Sequence, residues 1–143
     1  MVYTVKKFEV WTAEIDDRVG GLAGTLEPLA HAGADLAFVV ARRKPDKPGK
    51  GVVFLGGVSG SRAVKAATAA GFAKTDELTA LHVEETNKPG SCHKMTRLLA
   101  DAGISLRGLS ASVVGKKCVY TVAFDSAADA DKAAKVLKAS GKK

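Results

Sequence analysis

The sequence predicts an α+β protein of two small modules, each reading strand, helix, strand, strand, helix. Three observations carry this. The chain repeats itself at an offset of 70 residues, which sets Gly20 on Gly90, Leu29 on Leu99, Gly33 on Gly103 and Leu36 on Leu106. In both copies an alternating segment runs into a glycine turn, followed by apolar residues at spacings of three and four. In both copies a glycine also stands where that helix should stop. The same offset pairs Glu14 with Glu84, Phe54 with Phe124 and Gly71 with Gly141, so no gap is expected anywhere. The period is too long for a solenoid unit and implies two homologous modules, 1–75 and 76–143. A module of about 70 residues is marginal alone, so each is expected to lean on the other.

The elements follow in order. Phe8 to Ile15 alternates as a strand. A helix from about Gly21 to Ala32 carries Leu22, Leu26 and Leu29 on one face, with Pro28 inside it as a local conflict. Leu36 to Ala41 reads as the second strand. Arg42 to Lys50, with two prolines and a glycine, reads as a basic loop. Val52 to Leu55 is the return strand, and Ser59 or Ser61 is expected to cap a helix from Arg62 to Ala70. Residues 72–81 lead into the second copy. There the strand is Thr79 to Glu85, the helix Ser91 to Ala102 and the second strand Leu106 to Val113. Gly115-Lys116 turns the chain into Cys118 to Phe124, and Asp125 or Ser126 caps a helix from Ala127 to Ala139.

Each copy thus has the order of a ferredoxin-like βαββαβ module lacking its last strand. The N-terminus carries a matching surplus. Val2 to Val5 is expected to act as a fourth strand at the sheet edge of the second module.

Composition narrows the function classes. The chain of 143 residues is 46% hydrophobic and 26% charged, ordinary for a globular domain. Nothing approaches the roughly 20 apolar residues of a membrane span. The first residues lack the apolar core of a signal peptide. Two cysteines make no disulfide framework, so cytoplasm is the expected compartment. The net charge of +7 gathers in Arg42 to Lys50 and in the tail. Without interleaved aromatics, that run points to solubility before nucleic acid.

The residues that carry chemistry lie at the turns. A small ligand with a carboxylate and an ammonium group would need a grip at both ends. Unpaired N–H groups at a helix start suit its carboxylate. Gly20, Gly21 and Gly90 let a ligand approach the backbone. A side-chain oxygen of Asp17, Asp35, Asn87 or Ser105 can take the ammonium. Each of these residues has a plainer reading as a turn or cap residue. Cys92-His93 does not make a thiol or metal centre, because adjacent helical residues diverge by about 100°. No CxxC, histidine spacing or Ser-His-Asp set is present. Gly56 to Gly60 lacks the lysine of a P-loop.

With these residues in order, the chain resembles a tandem ACT-domain protein over nearly its whole length. The second copy carries the resemblance best: Glu85-Thr86-Asn87-Lys88-Pro89-Gly90, a helix, then Ala102-Gly103-Ile104-Ser105-Leu106. The first copy has Val19 where that family usually has proline, though Gly20 keeps the turn. The resemblance implies antiparallel sheets with helices on one face and an effector in a seam between modules. Carried over by position, it implicates Asn87, Gly90, Ser91 and Cys92, with Glu85 before the turn and Ser105 opening the next strand. In the first copy the matching residues are Asp17, Gly20, Gly21 and Leu22, with Asp35 opening the strand. Serine-responsive members often carry asparagine where Ser105 and Asp35 stand. The implied protein is a free-standing, non-catalytic regulator with no cofactor or metal. Its ligand would be a small amino acid or related metabolite, and its partner a target enzyme of amino-acid metabolism. Open sheet edges make a homodimer the expected assembly. The alternatives are a ligand-free scaffold or dimerisation protein and, less favoured, a nucleic-acid binder using loop 42–50.

Overall fold

A computed structural model describes residues 2–140. The elements are β1 (Thr4–Asp16), α1 (Gly21–His31), β2 (Phe38–Arg43), β3 (Lys50–Gly56) and α2 (Ser61–Ala69), then β4 (Ala73–Thr86), α3 (Ser91–Asp101), β5 (Gly108–Val114), β6 (Lys117–Phe124) and α4 (Ala127–Ser140). The described residues form an α+β fold, with four helices and antiparallel strand pairs. The chain divides into two compact units: residues 9–75, and residues 76 onward together with those up to Phe8.

In the unit of residues 9–75 the strand order is β2-β3-β1. Period-two alternation turns Gly51, Val53 and Leu55 of β3 inward, and Trp11 and Ala13 of β1 with them. Leu29, Ala67 and Phe72 complete this core. The α1 helix runs through Pro28 instead of breaking there. Pro28 is exposed, and the turn loses only the proline's own N–H bond. The expected serine cap of α2 is not made. Gly60 holds the N-cap position, with no side-chain bond.

In the other unit the order is β4-β6-β5. Leu81 and Val83 of β4 face Tyr120, Val122 and Phe124 of β6, under Met95 and Leu99 of α3 and Ala130, Ala133 and Leu137 of α4. Tyr3 belongs to this core at 5% exposure, and Val5 packs against it. Lys7 forms an ion pair with Asp131. Ser126 caps α4 by accepting the Asp129 N–H at 3.1 Å. Of the expected separate strands Val2–Val5 and Phe8–Ile15, Thr4, Val5 and the whole of the second belong to one 13-residue strand, Thr4–Asp16, which leaves out Val2 and Tyr3. Likewise β4 starts at Ala73, not near Thr79. No glycine or proline lies between Val2 and Asp16 or between Phe72 and Thr86 to break either run.

The repeat needs one correction. Helices α1 and α3 keep the 70-residue offset. The return strands do not. Glu14 pairs with Val52, whereas its counterpart Glu84 pairs with Val119, so the offset falls to 67. The β2–β3 connection holds two prolines and six residues, 44–49, where β5 and β6 are joined by Gly115-Lys116 alone. Phe54 is therefore not the partner of Phe124. Val53 answers Tyr120, and Gly51 answers Cys118. The 70-residue offset returns in the last helices, where buried Ala63 and Ala67 answer Ala133 and Leu137.

Asp35 and Ser105 do not open strands. Gly33 and Gly103 close α1 and α3 in the left-handed conformation. The Ala34 and Ile104 N–H groups then donate back to Leu29 and Leu99. That folded-back exit uses the next few residues. The ladders begin only at Phe38, opposite Gly56, and at Gly108, opposite Ala123.

Candidate functional site

The turn before α3 closes on itself. The Ser91 N–H donates to the Lys88 carbonyl and the Lys88 N–H donates to Ser91 Oγ, both at 3.0 Å. Gly90 sits between them at φ 81 and is the N-cap, with no side-chain bond to the helix. Only glycine adopts this backbone without strain. The first helical bond runs from Lys94 N–H to Gly90 C=O. The N–H groups of Cys92 and His93 precede it, at the positive end of the helix.

This turn forms one wall of a groove of about 460 Å³. Residues 87–93 make that wall, and residues 111–113 of β5 with Cys118 of β6 make the other. Four residues singled out in the sequence therefore come together: Asn87, Gly90, Ser91 and Cys92. Ser91 is buried and its oxygen already accepts the Lys88 N–H, so it shapes the turn first. Ser105 is exposed and is not in the wall. The β5 residues and Cys118 were missed by sequence reasoning. Strand β5 is exposed along its whole length, so it offers no inward-facing pattern to read.

Glu85 lies behind the groove, not in its wall. It is in phase with Leu81 and Val83 on the core side of β4 and is 4% exposed. The Tyr120 hydroxyl donates to its Oε2 at 2.6 Å, while Oε1 has no partner. Cross-strand pairing places Glu85 beside Cys118, and Cys118 beside Val113. One row thus runs from a buried carboxylate to the groove wall. Burial first, then contacts with Cys118 and Glu85, push the Tyr120 phenol well above its ordinary range. Burial and the Glu85 charge push Tyr3 up to about 12.

The first copy is built from the same backbone with different chemistry. Gly20 is again left-handed, at φ 80, and opens α1. Gly21 is held tight: a Cβ there would lie 2.6 Å from the Asp16 carbonyl. Leu22 packs against the core. Asp17 forms an ion pair with Arg43 at 2.8 Å, and its N–H donates to Gly49 C=O. Asp35 is exposed. Where the second copy has Glu85, Tyr120 and Cys118, this one has Ile15, Val53 and Gly51.

The basic loop is largely neutralised from within its own unit. Glu14 binds Lys47 and Lys44, at 3.0 and 3.3 Å, and Asp16 binds Lys50 at 2.6 Å. Hydrogen bonds from Lys47 and Lys44 hold the Glu14 carboxyl below its usual range, and one from Lys50 does the same for Asp16. Among the described residues no group of three His, Cys, Asp or Glu side chains could hold a metal. No described helix is long and apolar enough to cross a membrane.

This combination of elements is an ACT-like fold, and solved structures share it. Protein BT0572 from Bacteroides thetaiotaomicron matches with a TM-score of 0.71 at 18% identity, covering 96% of this chain and 90% of its own. The ligand-free regulatory subunit of aspartate kinase from Thermus thermophilus matches at 0.65 and 12% identity, with 96% and 95% covered. Aspartate kinase from Synechocystis matches at 0.66 and 16% identity over 99% of this chain but 26% of its own. At these identities the likeness concerns the fold. No family model and no curated protein matches the chain.

Proposed function

We propose that this protein is a non-catalytic regulator built of two ACT-type modules, and that it binds a small amino acid or related metabolite. The observation that carries the reading is the groove at the α3 start. There a glycine turn, free helix N–H groups and an open strand face one groove of about 460 Å³. The ligand carboxylate would lie against the Cys92 and His93 N–H groups. The outer wall, β5, is exposed, so a neighbouring module or a second copy of the chain would close the seam. Ligand would then favour one arrangement of modules over another, which is a population shift without chemistry. The shared fold with regulatory subunits of aspartate kinase supports an enzyme of amino-acid metabolism as the target.

The two copies are not equivalent in this reading. The Asp17 side chain is tied to Arg43, and Gly21 leaves no room for a Cβ above Asp16. The first copy therefore fits a scaffold role, and the second is the sensor. A thermal-shift screen of the common amino acids tests the proposal. Stabilisation by a restricted set supports it. No response to any of them favours a scaffold throughout.

A further inference from the structure

The two copies differ at one pair of side chains between the helix start and the edge strand. Their backbones agree there. The Asp17 N–H donates to Gly49 C=O and the Asn87 N–H to Lys116 C=O, both at 2.9 Å, so each turn is tied to its hairpin in the same way. Arg43 pairs with Gly51 and Val113 with Cys118, so Arg43 and Val113 occupy the same row of their strands. The side chains do not agree. Arg43 Nε donates to Asp17 Oδ2 at 2.8 Å and joins the edge strand to the turn. In the second copy Asn87 and Val113 stand in these two places, on opposite walls of the groove. Valine has no donor, so that link cannot form.

We propose that positions 43 and 113 decide which copy admits a ligand: the Arg43–Asp17 bridge straps the first copy shut, and Val113 leaves the second open. A zwitterion brings a carboxylate and an ammonium group. In the first copy the chain supplies both charges itself, as a carboxylate on the turn and a guanidinium from β2. The Leu22 and Ala23 N–H groups precede the first helical bond, Gly24 N–H to Gly20 C=O, as those of Cys92 and His93 do in α3. A carboxylate on the turn just ahead of that positive end disfavours a second one. The guanidinium in turn takes up Asp17 as an acceptor. Arg43 is 83% exposed and Asp17 35%, so the strap lies at the surface, where an ion pair contributes little to stability. It excludes a ligand by filling the place and matching its charges, and it can be removed without harm to the fold. This inference rests on the amino-acid reading above and names the side chains that restrict it to one copy.

The test uses the full chain and two double variants. Asp17→Asn with Arg43→Val gives the first copy the side chains of the second, and Asn87→Asp with Val113→Arg does the reverse. Each leaves the net charge as it was, and both should melt close to wild type. Calorimetric titration with the amino acids that raise the wild-type melting temperature should give one site per chain in wild type and two in D17N/R43V. In N87D/V113R the affinity should fall about tenfold or more. Acetate is the second probe, because it needs only the helix start. It should shift the Leu22 and Ala23 amide signals in D17N/R43V and leave them unmoved in wild type. One site in both wild type and D17N/R43V, with unchanged affinity in N87D/V113R, would overturn the strap and leave the amino-acid reading standing. If no amino acid binds wild type, that reading falls and acetate alone decides the strap: equal shifts in wild type and D17N/R43V would overturn it.

Discussion

The Tyr120 hydroxyl donates to Glu85 Oε2 at 2.6 Å inside the core of the second unit. The first unit fills the equivalent place with Val53 and Ile15. The phenol is held neutral by burial and by the thiol and carboxylate beside it. Tyr3 is held neutral by burial and by the same carboxylate, with its pKa pushed up to about 12. These are the chain's two tyrosines. A phenol with a raised folded-state pKa stabilises the fold fully below the unfolded value near 10. That stability is lost as pH rises through the folded value. Absorbance at the phenolate band should therefore stay flat near pH 10 and rise only together with unfolding. A phenol ionising near pH 10 in folded protein would contradict this environment.

Tyr3 joins the N-terminal segment to the core of residues 76 onward. Tyr3→Ala should destabilise that unit by about 3 kcal/mol, the range for removing a buried aromatic. Its hydroxyl has no partner, so Tyr3→Phe should be close to neutral. Denaturant midpoints compare the three proteins. Equal midpoints for Tyr3→Ala and wild type would show that the segment contributes nothing to that core.

Gly90 lies at φ 81, and a Cβ at this position would meet nothing within 4 Å. Gly90→Ala should thus be penalised by backbone strain alone, by about 1 kcal/mol. Gly20→Ala should behave alike, for the same reason. Urea unfolding measures both. A cost far above this would mean that the turn meets a neighbour.

Glu14 and Asp16 are held below the usual carboxylate range by Lys47, Lys44 and Lys50. A depressed folded-state pKa contributes stability above the unfolded value and loses it as pH falls through the folded one. Carbon-detected NMR should find both carboxyls titrating below the same groups in a short unstructured peptide. Lys47→Ala should move Glu14 upward and leave Asp16 in place. With these lysines engaged, any retention on a nucleic-acid column should be lost on a modest rise in salt. Strong retention at moderate salt would revive the basic loop as an interface.

The duplicated strand-turn-helix was legible because Gly20, Gly90, Gly33 and Gly103 punctuate it, and glycine turns are local chemistry. The helices followed from apolar spacing. The change of offset in the return strands was not legible. Both hairpin loops look acceptable in sequence, and register is fixed by cross-strand packing at a distance. Glu85 was named in the sequence as the residue before the turn, and its burial was legible too, because it continues the core phase of Leu81 and Val83. Its partner Tyr120 lies 35 positions on, and no local pattern links them. The β5 wall of the groove was hidden for a different reason: an exposed edge strand has no buried face to mark it.

A small amino acid bound between the α3 start and β5 would perturb the amides on both sides of the groove. Backbone amide shifts of isotope-labelled protein, followed during titration with the amino acids that raise its melting temperature, test it most directly. Changes are expected to concentrate at residues 87–93 and 111–113 and at Cys118, with the Asp17–Leu22 turn unmoved. Shifts confined to that first turn, or none anywhere with every amino acid tried, would contradict it.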